Sequence, residues 1–275
     1  MSVEYFDEQR RQLIAAIRAH TEQVAPQIGK TALDKQVLRA MTKVPRHEFV
    51  PAEVQSCAYL DTPLPIGFGK TISQPFMVAV MTDLLELKPD DAVLEIGTGL
   101  GYQTAVLAEL AGRVYSIEII DELAQRAAQR LKRQGYTNVE VRVANGYLGW
   151  PEHAPFDKVI VTAAPDLIPT PLINQLKTGG RMVIPVGLPR AQQLLMAEKD
   201  RNGKIATKEI GARGIRRICF PGILIKRRTR LAGYDPRHNI ASKCLALSPT
   251  TRRGPRPITP RRGGEAMTWS PAGRL

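Results

Sequence analysis

Apolar residues recur at helical spacing early in the chain, at Leu13, Ile14, Ile17 and Val24, and predict a helix over residues 4–24. Val37, Leu38 and Met41 share one face of a second helix, 33–43. The segment V-P-R-H-E-F-V-P (44–51) carries two prolines that exclude a long helix, and 61–75 is a loop rich in turn formers. A helix follows over 75–87, with Pro75 in its first turn and Ser73 or Gln74 near the cap. From residue 91 short apolar runs alternate with helix-like segments. Strands are expected at 92–96, 113–119, 138–143, 157–162, 180–186 and 192–198, and helices at 102–111, 121–134 and 169–177. Near-continuous apolar strands with intervening helices imply a parallel sheet covered on both faces. The last two strands are joined only by G-L-P-R-A and should run antiparallel. The expected fold is α/β: a Rossmann-like, mostly parallel, doubly wound sheet with an antiparallel strand near its C-terminal edge and an N-terminal helical cap.

The stretch D-A-V-L-E-I-G-T-G-L-G (91–101) says most about ligand chemistry. A strand drops into Gly97, Gly99 and Gly101 and a helix starts at once, the order of a nucleotide-binding βαβ unit. The spacing is G-x-G-x-G, not the G-x-G-x-x-G of dinucleotide sites. Glu95 just ahead of the glycines would repel a pyrophosphate and suit a ligand with an ammonium group there, such as the amino-acid end of S-adenosylmethionine. Glu118, near the end of the next strand and 23 residues after Glu95, is placed to accept both ribose hydroxyls. Read alone, Glu118 is equally a solvated strand-end acid.

Four segments together resemble the protein-L-isoaspartate O-methyltransferase family of class I S-adenosylmethionine enzymes. They are V-P-R-H-E-F-V-P (44–51), L-P-I-G-F-G-K-T-I-S-Q-P (64–75), V-L-E-I-G-T-G-L-G-Y-Q-T (93–104) and P-F-D-K-V-I-V-T-A-A-P (155–165). The resemblance covers roughly residues 10–210, and T-I-S-x-P ahead of the glycine motif is its most discriminating part. It implies a class I methyltransferase fold and methyl transfer to the misplaced α-carboxylate of L-isoaspartyl residues in damaged proteins. The ester then closes to a succinimide that reopens to aspartate. A carboxylate is already nucleophilic at pH 7, so no strong general base is needed, and His47 is read as structural. By the resemblance Ser73 orients the acceptor carboxylate, although its position also suits a helix-capping serine. S-adenosyl-L-methionine is implied as cofactor, held by Thr71, Ile72, Glu95, Gly97, Thr98, Gly99, Gly101, Glu118, Asn145 and Gly146. The family usually has Asp where Asn145 stands, and Asn145-Gly146 is also a plain turn sequence.

Composition divides the chain. The formal net charge is +13. Residues 211–275 hold 15 Lys and Arg against Asp235 and Glu265, which leaves residues 1–210 neutral with 24 charges of each sign. The expected organisation is an N-terminal helical and substrate-loop region (1–75), a cofactor-binding α/β domain (76–210) and an atypical basic tail (211–275), largely disordered from its Arg- and Pro-rich composition. The family usually continues after 210 with a strand resembling P-V-R-F-V-P-L, which this chain lacks. Two origins for the tail stay open: an evolved segment binding nucleic acid through charge, or a shift of reading frame near codon 210. Two other functions also stay open. One is a class I methyltransferase acting on a small molecule or RNA, and the other a catalytically impaired cofactor-binding protein with a nucleic-acid-binding tail. No apolar run is long enough to span a bilayer, and the charged N-terminus lacks a signal-peptide core, so a cytoplasmic monomer without membrane association is expected. The three cysteines and four histidines are scattered and suggest no metal site.

Overall fold

The computed structural model describes residues 2–188 and 191–211. The tail assigned above to 211–275 therefore lies outside the described residues, apart from Gly211. Helix α1 (Val3–Gln23) buries Leu13, Ile14 and Ile17 on one stripe. It is followed by one-turn α2 (Ala25–Ile28) and by α3 (Lys35–Lys43), whose face Val37, Leu38, Met41 is buried as its spacing predicts. The proline-flanked stretch after α3 forms two 3-10 turns, Arg46–Phe49 and Ala52–Cys57. The expected loop 61–75 contains a short antiparallel hairpin, β1 (Leu64–Gly67) and β2 (Lys70–Ile72), which leads into α4 (Pro75–Leu85). Every residue of α4 is buried, because this helix lies between the N-terminal helices and the sheet. Lys30 and the Asp34 backbone N–H bind the buried Asp83 carboxylate at 2.5 and 2.6 Å and lock the cap to α4.

The sheet begins with β3 (Ala92–Ile96), followed by α5 (Tyr102–Ala108), β4 (Arg113–Glu118), α6 (Asp121–Arg133) and β5 (Val139–Val143). The second half runs β6 (Phe156–Val161), α7 (Thr170–Asn174), β7 (Leu176–Val186), β8 (Gln193–Lys199) and β9 (Ile205–Ile210). The strand order is β5-β4-β3-β6-β7-β8-β9. The first five of these are parallel, and β8 and β9 are antiparallel to their neighbours, which bears out the expected architecture with one strand more than expected. β9 escaped the apolar-run criterion because four of its six residues are exposed on an edge strand. One face of the sheet carries the N-terminal cap with α4, α5 and α6, and the other carries a second core around Trp150, Phe156 and Leu172. Among the described residues no helix is long and apolar enough to cross a membrane.

Chain order reverses between β3 and β6, since β3 has β4 on one side and β6 on the other. A crevice opens there, outside the carboxyl ends of the strands, where open α/β sheets bind ligands. Asp61 fixes the loop that overhangs it. Its carboxylate accepts from the Phe76 N–H in the first turn of α4 (2.8 Å), from Gln74 Nε2 (3.1 Å) and from His20 Nδ1 (3.2 Å). Because Asp61 caps α4 from 15 residues away, Asp61→Ala should cost about 1–2 kcal/mol in urea unfolding, with Asp61→Asn intermediate. Unchanged stability in the alanine variant would show that the cap carries no load.

Candidate active site

The crevice is lined by Gly97–Leu100 after β3, by Glu118 and Ile119 at the end of β4, by Asn145–Tyr147 after β5, by Thr162 and Ala163 after β6, and by Lys70–Ser73 from the overhanging loop. The glycine turn is shaped by its neighbours. Gly97 has φ +103°, and a Cβ there would stand 2.4 Å from Thr162 Oγ1. That hydroxyl lies 2.7 and 3.0 Å from the Gly97 and Ile96 carbonyls and clamps the turn to the end of β6. Gly146 is needed for a different reason: a Cβ would lie 2.3 Å from Ile96 Cγ2, so only glycine lets the strand ends close up.

Glu118 is buried and ties the two sides of the turn together. Its Oε2 accepts from the Gly99 N–H (2.9 Å), and its Oε1 accepts from the Ile119 and Ile120 N–H groups (2.9 and 3.0 Å). A carboxylate has about four lone-pair directions. Three are taken here, so one remains, on Oε2, which narrows the expectation that Glu118 accepts both ribose hydroxyls. Glu118 is thus no solvated strand-end acid. Lys70 also lines the crevice, and burial holds its ammonium below the usual range against the attraction of Glu118.

Two expected site residues stand elsewhere. Glu95 has no solvent exposure and does not line the crevice. Thr104 Oγ1 of α5 (2.5 Å) and Ser116 Oγ of β4 (2.6 Å) both donate to its Oε2, while Oε1 is buried without a partner among the described residues. Burial pushes its carboxyl up to about 7, against the opposing pull of the two hydroxyls. Glu95 is linked to the crevice through Ser116, whose Oγ bonds Thr98 Oγ1 at 2.6 Å. Gly101 likewise lies behind the wall as the N-cap of α5, where a Cβ would come within 3.2 Å of Leu131.

Ser73 lines the crevice half-buried, and its hydroxyl makes no hydrogen bond among the described residues. It is not a capping serine. Gln74 is the N-cap of α4 and makes no side-chain cap bond, because Asp61 takes that role. Ile72 beside it is buried, and Thr71 Oγ1 is buried in the wall without a partner. Asn145 lines the crevice and also accepts from the Tyr147 N–H at 3.0 Å, so the turn reading and the lining position hold together. Tyr102, Gln103, Thr162 and Lys70 line the crevice as well, and sequence reasoning gave them no role. All four lay inside the quoted motifs, Lys70 in 64–75, Tyr102 and Gln103 in 93–104 and Thr162 in 155–165, but nothing local along the chain marked them as lining a site. The orphaned Thr71 hydroxyl, the idle Ser73 hydroxyl, the free site on Glu118 and a glycine-lined floor fit a nucleoside-bearing polar ligand with a second, acidic ligand beside it.

A family model described as protein-L-isoaspartate(D-aspartate) O-methyltransferase matches residues 20–213. A curated relative in Polaromonas sp., protein-L-isoaspartate O-methyltransferase 1, is 67% identical over 201 residues, which is 73% of this chain and 85% of the relative. Protein-L-isoaspartate O-methyltransferase 2 of Syntrophobacter fumaroxidans is 56% identical over 202 residues, 73% of this chain and 82% of the relative. A solved protein-L-isoaspartate O-methyltransferase aligns with TM-score 0.65 at 27% identity, covering 78% of this chain and 67% of that one. A Plasmodium falciparum protein solved in complex with S-adenosyl-L-homocysteine shares the fold at TM-score 0.61 and 24% identity, over 75% of this chain and 96% of that one.

Glu95 makes a pH prediction. Its folded value of about 7 lies above the ordinary 4.5, so between those values the folded protein holds a proton that the unfolded chain has released. Stability should therefore fall as pH rises through this window, by at most about 3 kcal/mol. Glu95→Gln removes that slope, so urea unfolding at pH 5 and pH 8 should show the variant gaining on the parent at the higher pH. Parallel profiles would mean that Glu95 titrates normally.

Proposed function

The chain belongs to the protein-L-isoaspartate(D-aspartate) O-methyltransferase family, and we infer from its crevice how its own residues serve that reaction. The enzyme transfers a methyl group from S-adenosyl-L-methionine to the free α-carboxylate of L-isoaspartyl residues in damaged proteins and so starts repair through a succinimide. Bound S-adenosyl-L-methionine supplies a methyl group made electrophilic by its sulfonium.

The protein's part is to bind, orient and exclude water. Glu118 offers its remaining Oε2 site to a ribose hydroxyl. Gly97, Thr98 and Gly99 form the floor, and Asn145 and Gly146 flank the base. Ile72 and Thr71 close the wall from the loop side. Ser73 donates its hydroxyl to one oxygen of the acceptor carboxylate and leaves the other free to attack. No residue has to remove a proton, because the acceptor arrives ionised. The observation that carries this reading is the Ser73 hydroxyl, which lines the same crevice as Glu118 and is relieved of capping by Asp61. The neutral charge balance of residues 1–210 gives no support to an RNA substrate for the crevice itself.

The test is incorporation of labelled methyl into an L-isoaspartyl peptide and into the same peptide with ordinary aspartate. Only the first should be labelled, and labelling of neither, or of both alike, would count against the reading. Ser73→Ala should lower turnover at least about tenfold while S-adenosylhomocysteine affinity stays within a few-fold, as expected for a hydrogen bond to a charged group. Loss of cofactor affinity and stability together would make Ser73 structural. Glu118→Gln is preferred to alanine because the carboxylate also holds three backbone N–H groups. It should weaken S-adenosylhomocysteine by about 1–2 kcal/mol by calorimetry. Equal affinities would remove Glu118 from the cofactor site.

A further inference from the structure

Arg46 has no solvent exposure. Its Nε donates to the Ala58 carbonyl (2.8 Å) and its Nη2 to the Ser73 carbonyl (2.7 Å). Its Nη1 is buried with no acceptor, and the guanidinium carbon lies 4.7 Å from the centre of the Tyr102 ring. Among the described residues no carboxylate forms an ion pair with it. The Tyr102 phenol offsets its burial most, without supplying a charge at neutral pH, and the nearest carboxylate to act on it, Asp61, is already engaged by His20, Gln74 and Phe76. Burial lowers its value to about 10, which still leaves a cation at neutral pH. A buried charge without a counter-ion is costly, and such charges are normally paired. Ser73 and Tyr102, the two residues that the guanidinium touches at the crevice, both line it. The missing counter-ion therefore belongs on the far side of that wall.

We propose that Arg46 is a positioning residue for the acceptor: it holds the Ser73 backbone in place, and its unpaired charge makes the crevice wall select an anionic carboxylate over a neutral group of the same shape. The inference rests on the assignment of the acceptor carboxylate to Ser73. It also accounts for turnover. Methyl transfer forms a carboxylate oxygen–carbon bond and breaks the sulfur–carbon bond, the electron pair staying on sulfur, so the anionic acceptor leaves as a neutral ester. The charge that draws in the substrate no longer holds the product. Because the same charge stabilises the bound anion before transfer, its effect falls on substrate affinity more than on the rate of the chemical step.

The test compares two peptides bound to the full chain saturated with S-adenosylhomocysteine: one with an L-isoaspartyl residue, the other with its α-carboxylate replaced by a carboxamide. The parent should prefer the carboxylate by about tenfold or more. Because a buried charge is poorly screened, most of that preference should survive 0.5 M salt, where a preference due to exposed lysines and arginines would collapse. Arg46→Gln should reduce the preference to about twofold or less, raise KM more than it lowers kcat, and leave the amide peptide and cofactor within about threefold of the parent. Arg46→Lys should retain most of the preference. A parent that binds both peptides equally, a preference abolished by salt, or an Arg46→Gln variant that weakens both peptides alike would each overturn the proposal. The parent measurements stand even if Arg46→Gln does not fold. Ser73→Ala separates the two assignments: no effect on either peptide, beside a lost preference in Arg46→Gln, would overturn the Ser73 reading and not the charge selection.

Discussion

The site depends on one carboxylate holding two strand ends at a set distance. Glu118 binds the Gly99 N–H on one side and the Ile119 and Ile120 N–H groups on the other, and so bridges the turns that leave β3 and β4. Beside this pair, between β3 and β6, the chain order reverses and the connections leave in opposite directions, which opens the crevice. The Thr162 hydroxyl does the same work on the β6 side by clamping the Ile96 and Gly97 carbonyls. Gly97 and Gly146 are where these closures bring atoms so near that no side chain fits. The walls of the crevice are therefore set by the chain's own hydrogen bonds and close contacts.

The second wall is anchored from outside the sheet. The β1–β2 hairpin and the segment to Pro75 bury Leu64, Ile66 and Ile72 in the main core, and two charged groups of the N-terminal region fix their polar backbone. Asp61 accepts from the Phe76 N–H in the first turn of α4, and Arg46 donates to the Ser73 carbonyl. Between these anchors the Ser73 hydroxyl lines the crevice and makes no hydrogen bond among the described residues. Glu95 provides the corresponding support behind the glycine turn, through Ser116 to Thr98. A buried acid with one unpartnered oxygen costs stability, and that cost falls on the element that orients the cofactor floor.

What was legible in the sequence is what is local along it. The run from β3 through the glycines to α5, β4 and Glu118 is contiguous, and its periodicity and turn residues suffice to place it. The antiparallel turn from β7 to β8 follows from its short connection. The roles of Asp61 and Arg46 were hidden because each acts on residues more than ten positions away. The burial of Glu95 was not legible because its place in the strand shows that it alternates with Leu94 and Ile96, but not what each face packs against. β9 was missed because an edge strand with exposed polar residues has no apolar run. The assignment of Ser73 came from resemblance to a family, since the residue pattern alone suits a helix cap equally well.

The account stands on the acceptor carboxylate and the cofactor ribose meeting the two groups that the fold leaves idle, the Ser73 hydroxyl and the open side of Glu118 Oε2. A structure of the chain with S-adenosylhomocysteine and an L-isoaspartyl peptide tests this most directly. The account predicts one oxygen of the isoaspartyl α-carboxylate within hydrogen-bond distance of Ser73 Oγ, the other turned toward the sulfur, and a ribose hydroxyl on Glu118. A carboxylate seated away from Ser73, or a ribose held by residues other than Glu118, would contradict it.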